Sequence, residues 1–393
     1  MAAMPLYMRR VGFDPDPAIA EVRDREGVVR VDSALGVPVW LVTRVEDVRR
    51  VYGDPLRFGN SAPHLVPGAP ALSEEELAAA RPGNLLVFDP PEHTRLRRLL
   101  APEFTVRRMR RLEPRVHEIV RDHLDAIERQ GPPADLVPDF ALPVPALVIC
   151  ELLGVPAEDR DAFQARYARY FDMTLSFDER VAVQFEAKDY LARLVARARR
   201  EPGDDLLGML VRDTTADLTD RELVGMADLL LLAGHETTAN MLGLGTLALL
   251  RHPAQFRLLR EEPDRAAAAV EELLRWLSVV HTGVPRVTTT DVELGGHALG
   301  PGELVVCALP AANRDPALVP DPERLDVTRA AGSHVAFGHG VHHCLGAPLA
   351  RMEMRIAFAA LARRFPGLRT VDPEPDYRPE AVVYGLSSLR VTW

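Results

Sequence analysis

Apolar and polar positions alternate with two different periods along the 393-residue chain. Two stretches near the N-terminus, "GVVRVDS" and "VPVWLVTR", alternate residue by residue, which is typical of β-strands. From about residue 91 to residue 278 the apolar positions have the period of amphipathic helices. Residues 285 to 308 return to alternation between glycine-rich turns, and helical spacing resumes after residue 344. These patterns predict a mainly α protein with small peripheral β-sheets.

At 393 residues the chain could form one large domain or two ordinary ones, and we expect a single domain over residues 1–393. We expect a small N-terminal sheet region at about 28–60 and a helical core at about 91–278. A strand region at about 285–308 would follow, and then a cysteine-containing loop with its following helix at 334–365. No internal repeat interrupts this order.

One predicted helix is unusually long and apolar. It begins with a capping box formed by Thr219 and Glu222 and ends at Pro253, which gives about 32 residues and a length of about 48 Å. Its apolar middle would permit a membrane span. Five polar residues lie at its centre, however: His235, Glu236, Thr237, Thr238 and Asn240. Because a bilayer would penalise these side chains, we predict a buried core helix instead.

The composition indicates in which cellular compartment the protein functions and which classes of partner it does not bind. Hydrophobic residues make up 47% of the chain and charged residues 26%, which is typical of a soluble globular protein. The three cysteines are scattered and odd in number, so they favour a reducing compartment over a disulfide framework. The N-terminus lacks the apolar core of a signal peptide. With a net charge of −10, we expect a cytoplasmic protein with neither nucleic acid nor membrane as a partner.

The segment "HVAFGHGVHHCLGAPLAR", residues 334–351, places Cys344 just before a predicted helix. Three interpretations of this thiol are open. It could be a buried small apolar group, a zinc ligand together with His339, His342 and His343, or a thiolate that binds haem iron. Zinc is disfavoured because adjacent His343 and Cys344 cannot easily turn toward one tetrahedral centre.

The haem interpretation also explains the residues around the thiol. Gly338, Gly340 and Gly346 lack side chains where the backbone must bend sharply and lie against a flat macrocycle. Pro348 suits the first turn of the following helix. The free N–H groups and the positive dipole end of that helix would favour thiolate over thiol at Cys344.

The stretch "FGHGVHHCLG" matches F-G-x-G-x-H-x-C-x-G, and the chain therefore resembles the bacterial cytochromes P450. The specified positions are filled by Phe337, Gly338, Gly340, His342, Cys344 and Gly346. The resemblance extends from about residue 15 to the C-terminus. It implies the cytochrome P450 fold, which is helix-rich with a long central helix over the haem. It also implies haem b whose iron is bound by the thiolate of Cys344.

The centre of the long helix resembles the oxygen-binding segment of the same family. The segment is "AGHETT", residues 233–238. The resemblance implies that Ala233 and Gly234 lie against the haem and that Glu236 and Thr237 deliver protons. The alternative is purely structural, with threonines that bond back to the preceding turn and Glu236 paired with an arginine.

"EELLR" supplies a further family motif with Glu272 and Arg275. At this spacing the two side chains share one helix face, and alone they would be an ordinary surface ion pair. The resemblance implies instead a structural pair that is locked to Arg324 in "DPERLD".

Basic residues in two other places resemble contacts to the haem propionates. They are His93 and Arg97 in "DPPEHTRLRR" and Arg286 in "VPRVTT", with His342 as a further donor. Ferric iron, the porphyrin dianion and one thiolate sum to zero, so the two propionates remain as anions that need partners. Each basic residue alone would be interpreted as solvated.

The resemblance implies a monooxygenase that hydroxylates or epoxidises a hydrophobic small molecule. A natural product such as a polyketide, a macrolide or a modified peptide is the expected substrate. An external ferredoxin with its reductase would supply electrons, because the chain lacks iron–sulfur and dinucleotide-binding motifs. Arg98 and "RRMRR", residues 107–111, would form a docking patch, although a solvated charged face explains them equally well. The alternatives are an oxidative-coupling or peroxide-driven haem enzyme, and a non-catalytic haem sensor or carrier.

The substrate pocket is expected by analogy with the family. It would draw on the 61–88 loop, on "YARYFDMTLSF" at 167–177, on Leu232 with Ala233, and on residues 279–284 and 382–385. These segments are mainly apolar, which agrees with a hydrophobic substrate.

Overall fold

The computed structural model describes residues 4–33, 36–60, 81–170, 175–213, 217–330, 332–378 and 383–393. Within these ranges helices dominate, and short strands form small sheets. The prediction of a mainly α fold is therefore confirmed.

Helices α1 to α13 follow one another along the described chain. They are α1 Pro17–Arg25, α2 Val45–Gly53, α3 Glu92–Leu100, α4 Val106–Gln130, α5 Pro143–Leu153, α6 Arg160–Tyr170, α7 Phe177–Arg200, α8 Leu206–Arg212, α9 Asp220–Arg251, α10 Pro253–Glu261, α11 Ala266–Leu277, α12 Leu309–Asn313 and α13 Ala347–Arg364. Short 3₁₀ turns at Leu85–Val87 and Gly340–His342 add to them.

The strands are short and lie at the periphery of the helices. They are β1 Arg10–Val11, β2 Asp14–Pro15, β3 Val28–Asp32, β4 Pro38–Val42, β5 Phe58–Gly59, β6 Ala134–Asp135, β7 Arg286–Thr288, β8 Val292–Leu294, β9 His297–Leu299, β10 Leu304–Cys307, β11 Arg369–Thr370, β12 Asp376–Tyr377, β13 Leu386–Ser388 and β14 Arg390–Thr392.

The largest sheet joins the two strand regions that the sequence places far apart. Its order is β3-β4-β10-β7-β5, and only the β4–β10 pairing is parallel. Val305 of β10 lies opposite Trp40 of β4 and opposite Arg286 of β7. The sheet therefore fixes Arg286 beside the N-terminal strands.

The long helix α9 has the bounds that its end signals predict. Thr219 accepts a hydrogen bond from the N–H of Glu222, and the Glu222 carboxylate accepts one from the N–H of Thr219. The helix runs through the core and packs against α5, α7, α11 and α13. The predicted buried core helix is thus confirmed. Among the described residues, no helix combines the length and the apolar character that crossing a membrane requires.

Close packing between α9 and α13 sets the position of the cysteine loop. A Cβ at Gly245 of α9 would lie 2.5 Å from the ring of Phe358 of α13, so the two helices approach closely there. The loop with Cys344 immediately precedes α13. The loop therefore faces the centre of α9 across the cavity that both elements line.

The pair of Glu272 and Arg275 is buried, and its third partner differs from the expected one. Two hydrogen bonds of 2.8 Å join the two side chains. Arg329 approaches the Glu272 carboxylate at 3.3 Å, whereas the Arg324 side chain is 65% exposed and pairs with Asp326. The prediction of Arg324 as the locking arginine is wrong, because its side chain points to solvent and only its backbone oxygen accepts from Arg275.

We expect Glu272→Gln to lower the free energy of unfolding by about 3 kcal/mol, because Arg275 would remain buried without its counter-charge. The matched control is Glu262→Gln, which removes an ion pair to Arg265 whose side chains are 40% and 48% exposed. The control should change stability by less than about 0.5 kcal/mol. Urea unfolding of both variants measures the difference, and equal effects would contradict the structural role of Glu272.

Candidate active site

A cavity of about 1510 Å³, including its opening to solvent, lies between α9 and the cysteine loop. Helix α9 lines it with one face, formed by Leu229, Leu230, Ala233, Gly234, Thr237, Thr238 and Met241. These positions are three or four residues apart and therefore lie on one side of a helix. Leu232 falls on another side for the same reason and is absent from the lining. The part of the cavity wall that α9 forms is apolar apart from Thr237 and Thr238.

Ten of the twelve predicted site residues line this cavity. They are Arg97, Ala233, Gly234, Thr237, Arg286, Phe337, Gly338, His342, Cys344 and Gly346. His93 lies behind His342, with ring centroids 4.1 Å apart, and Glu236 pairs with Arg378. The structure thus brings together residues that are up to 249 positions apart, from Arg97 to Gly346.

Two glycines in left-handed conformation shape the cysteine loop. Gly338 has φ of 71° and Gly340 has φ of 70°. A Cβ at Gly340 would lie 2.1 Å from the carbonyl oxygen of Tyr52, so the loop can approach α2 only without a side chain there. The N–H of Cys344 donates to the carbonyl oxygen of Phe337 at 2.9 Å and closes the loop.

Cys344 is the cysteine that is accessible from the cavity, whereas Cys150 and Cys307 are buried. Burial raises the pKa of each of those two thiols to about 12. Burial also raises the pKa of Cys344, but the N–H of Gly346 and the charge of Arg97 act in the opposite direction. Such donors stabilise a thiolate, which is the form that binds metals.

A cluster of buried hydrogen-bond donors faces the other edge of the cavity. Both ring nitrogens of His93 and Nδ1 of His342 have no hydrogen-bond partner among the described residues. Burial and the neighbouring positive charges lower the pKa of His93 to about 4 and that of His342 to about 3. Arg286 is 4% exposed and, in the part of the chain that is described, forms no ion pair. Burial lowers the pKa of both His93 and Arg286, and the nearby carboxylate of Asp89 acts in the opposite direction but forms no ion pair with either of them. The cluster can therefore accommodate further negative charge.

Arg97 also connects the cavity edge with the cysteine loop. Its Nη2 donates to the carbonyl oxygen of His343 at 2.7 Å. The guanidinium of Arg351 lies over the ring of Phe337, 4.5 Å from the ring centroid. Arg351 also forms an ion pair with Glu271 of α11 at 2.6 Å. The loop is thus tied to α3 on one side and to α11 and α13 on the other.

The two predicted catalytic residues make the contacts that the structural alternative expects. Oγ1 of Thr237 donates to the carbonyl oxygen of Ala233 at 2.7 Å, and Glu236 pairs with Arg378 at 2.9 Å. Burial raises the pKa of the Glu236 carboxyl, and Arg378 acts against this rise. Thr237 nevertheless lies in the cavity wall, with Glu236 next to it on the helix.

Packing between helices accounts for Gly234. A Cβ at this position would lie 2.7 Å from Cδ1 of Ile149 on α5. Because Ile149 also lines the cavity, a side chain at Gly234 would displace one of its walls.

Some of the segments that were expected to form the substrate pocket line the cavity. Leu85 and Leu86 line the cavity, as do Val279, Val280 and Val284. Leu175, Ser176 and residues 383–385 are described but are not among the lining residues, so the expectation for them is wrong. The expected residues at 61–80, at 171–174 and at 382 lie outside the described residues.

Sequence reasoning missed two polar residues beside Arg286. The guanidinium of Arg286 lies 4.8 Å from the ring centroid of Tyr52, and Arg286 donates to Oδ1 of Asn60. Asn60 is 4% exposed and follows the two-residue strand β5. Tyr52 is on the buried face of α2, so its apolar spacing predicts burial but not the contact with Arg286. No periodic pattern marks Asn60, because it reaches the site through the sheet that pairs β5 with β7.

Comparison with known proteins decides the family. A family model described as Cytochrome P450 matches residues 193–391. The chain is also 48% identical over 396 residues to Cytochrome P450 FAS1 of Rhodococcoides fascians, and the alignment covers 100% of this chain and 99% of that protein. The chain belongs to the cytochrome P450 family. It is an oxidoreductase of that family.

Two further comparisons agree with this P450 assignment. Pentalenic acid synthase of Streptomyces avermitilis is 44% identical over 390 residues, with 98% of this chain and 96% of that protein covered. P450 StaH from glycopeptide antibiotic A47934 biosynthesis is 47% identical and superposes with a TM-score of 0.91, covering 99% of this chain and all of that chain. The predicted cytochrome P450 fold is confirmed.

Cytochromes P450 bind haem through a cysteine thiolate. The site of this P450 fits such a group in three respects. The cavity walls are mainly apolar, and an accessible thiol opens into the cavity. At its edge lies His342, whose Nδ1 has no partner among the described residues, with the unpartnered ring of His93 behind it, and two propionates would supply acceptors there. By contrast, no group of three or more His, Cys, Asp or Glu side chains suited to a metal ion occurs within the described ranges.

Proposed function

We propose that Cys344 binds the haem iron and that this P450 inserts one atom of O₂ into a hydrophobic natural product. The observation that carries the proposal is the position of Cys344, the accessible thiol in the cavity, while Cys150 and Cys307 are buried. Haem bound by a thiolate supplies chemistry that favours cleavage of the O–O bond. The residues of the chain bind the cofactor and the substrate, exclude water and move protons.

The residues proposed to hold the haem divide into two sets. Arg97, Arg286, His93 and His342 would pair with its carboxylates, because buried anions need such donors. The flat faces would lie against residues with small or apolar side chains, namely Ala233, Gly234, Phe337, Gly338 and Gly346.

The cavity walls support a hydrophobic substrate. Leu85 and Leu86 lie on one side, Leu229 and Leu230 belong to α9, and Val280 faces the same space. These walls exclude water and favour an apolar molecule through burial of its surface. Relatives such as pentalenic acid synthase and StaH belong by their names to natural-product chemistry, which is the class that we propose for this substrate.

We assign the delivery of protons to Thr237 and Glu236. The hydroxyl of Thr237 lies in the cavity wall and can pass a proton, since a hydroxyl both donates and accepts. Burial raises the pKa of Glu236, and a weaker contact with Arg378 would raise it further. The Glu236 carboxyl can then carry a proton toward Thr237.

Cys344→Ser is the direct test of the proposed iron ligand. The reduced wild-type protein under carbon monoxide should show the strongly red-shifted Soret band of thiolate-bound haem, and Cys344→Ser should lose it. Cys150→Ser is the control, because Cys150 is buried outside the cavity lining and should leave the band unchanged. A band that survives in Cys344→Ser would exclude this ligand.

Thr237→Ala should uncouple electron consumption from product formation. With a bound compound that shifts the haem spectrum, we expect the variant to release several times more hydrogen peroxide per NADPH consumed, since the proton-delivering hydroxyl is lost. Thr237→Ser should restore coupling.

The control for Thr237 is Thr246→Ala, which makes the same change at a buried position of α9 outside the cavity lining. An unaltered peroxide yield in Thr237→Ala would contradict the role of Thr237 in proton delivery. The hydroxyl would then serve only the structural hydrogen bond to the carbonyl oxygen of Ala233.

We further propose an acidic ferredoxin as the electron donor. A groove between α4, α11 and α13 is lined by Arg110, Arg351 and Arg355, and it includes Pro348 in the first turn after the cysteine loop. At its edge Val106 is 67% exposed. Arg351 and Arg355 pair with acidic residues of the chain, which leaves Arg110 as the exposed cation for an acidic partner.

Within the predicted patch, Arg108 forms an ion pair inside the chain and is therefore not part of the proposed docking surface. It pairs with Glu103 at 2.8 Å and its side chain is 14% exposed. Arg98, Arg107, Arg110 and Arg111 are exposed and remain in the proposed docking surface.

Arg110→Glu should slow electron transfer from a reduced plant-type [2Fe–2S] ferredoxin by about tenfold at low salt, because charge attraction accelerates such encounters. Stopped-flow reduction under carbon monoxide at several salt concentrations measures the rate. Arg197→Glu on α7 makes the same charge change on a helix that packs against α9 rather than against the groove, and it should have little effect. Equal effects of both variants, or a rate without salt dependence, would contradict this docking surface.

A further inference from the structure

Asn60 lies where the substrate side of the cavity meets the proposed propionate-binding residues. Its Nδ2 donates to the carbonyl oxygen of Leu86 at 2.6 Å and lies 3.3 Å from Nε2 of His342. Its Oδ1 accepts from Nη1 of Arg286. Its backbone N–H is held separately, by the carboxylate of Asp89 at 2.9 Å. The Asn60 side chain therefore contacts three protein groups, which belong to Leu86, His342 and Arg286.

Hydrogen-bond chemistry fixes the orientation of this amide. A guanidinium only donates, so the atom that faces Arg286 must be the amide oxygen. A carbonyl oxygen only accepts, so the atom that faces Leu86 must be the amide nitrogen. Both contacts therefore require the same orientation of the Asn60 amide, and the opposite orientation would make both contacts repulsive.

This orientation determines where His342 carries its proton. The amide nitrogen of Asn60 offers only hydrogens, so Nε2 of His342 must accept and therefore carries no proton. The ring proton then lies on Nδ1. That nitrogen is the buried atom of His342 that has no partner among the described residues.

We infer that Asn60 is a positioning residue that holds His342 as an Nδ1–H donor and orients Arg286, so that both can donate to the haem carboxylates. This inference rests on the proposed assignment of Arg286 and His342 to the haem. Asn60 acts through those two residues and needs no contact with the cofactor.

The chain contains a matched control for this role. Asn84 accepts a hydrogen bond from the N–H of Leu86 at 3.2 Å, while Asn60 donates to the carbonyl oxygen of the same residue. Both asparagines thus hold the turn at Leu86. Only Asn60 also contacts Arg286 and His342.

The first experiment measures transfer of haem from the purified holoprotein to excess apomyoglobin. Asn60→Ala keeps the backbone contact to Asp89 and should release haem about tenfold faster, as the loss of a supporting hydrogen bond behind a cofactor-binding residue does. Asn84→Ala should release haem at the wild-type rate. Equal rates for the two variants would overturn the inference.

The second experiment observes the ring proton itself. In ¹⁵N-histidine-labelled protein, in the diamagnetic reduced carbon monoxide form, the nitrogen shifts of His342 should report a proton on Nδ1. The signal is assigned by its absence in His342→Gln. In Asn60→Asp, whose carboxylate can only accept from Nε2, the proton should move to Nε2. A proton on Nε2 in the wild-type protein would overturn the inference, even if Asn60→Ala destabilised the fold.

Arg286→Gln separates this inference from the proposed function. If Arg286→Gln accelerates haem transfer but Asn60→Ala does not, the role of Asn60 is wrong and the haem site stands. If neither variant changes the transfer rate, the assignment of the propionate-binding residues fails as well.

Discussion

The site depends on buried polar groups that have no hydrogen-bond partner within the described chain. Both nitrogens of His93 and one nitrogen of His342 are unpartnered, and Arg286 beside them forms no ion pair among the described residues. Each such buried group costs about 1–3 kcal/mol if it stays unsatisfied. A cofactor with a large apolar body and two carboxylates would offer acceptors to the N–H groups of these side chains and would fill the cavity, which is why we propose them as the residues that hold the haem.

The rest of the architecture holds the two sides of that cofactor site at a fixed separation. The capping box at Thr219 and Glu222 begins a helix that crosses the core, and Gly245 lets α13 approach it closely. The cysteine loop is fixed in turn by its contact with α2 at Gly340. The thiol of Cys344 and the hydroxyl of Thr237 therefore face one cavity from rigid elements, which is the arrangement that precise chemistry requires.

The features that sequence predicted are those with local signals. Helix α9 was predictable because its capping box and Pro253 lie next to its ends, and the sharp bends of the cysteine loop were predictable because Gly338 and Gly340 mark them. Long-range partners were not predictable. Arg329 rather than Arg324 reaches Glu272, and Arg378 pairs with Glu236 across 142 positions. Asn60 gave no signal, because its role arises only when the sheet brings β5 beside β7.

The most direct measurement compares retention of haem with retention of its dimethyl ester, in which both carboxylates are neutral. If the buried donors exist to pair with those carboxylates, transfer of the ester to apomyoglobin should be at least about tenfold faster than transfer of haem. The difference should shrink in Arg286→Gln, because that variant lacks the charge that distinguishes the two ligands. Equal retention of haem and ester by the wild-type protein would contradict the account.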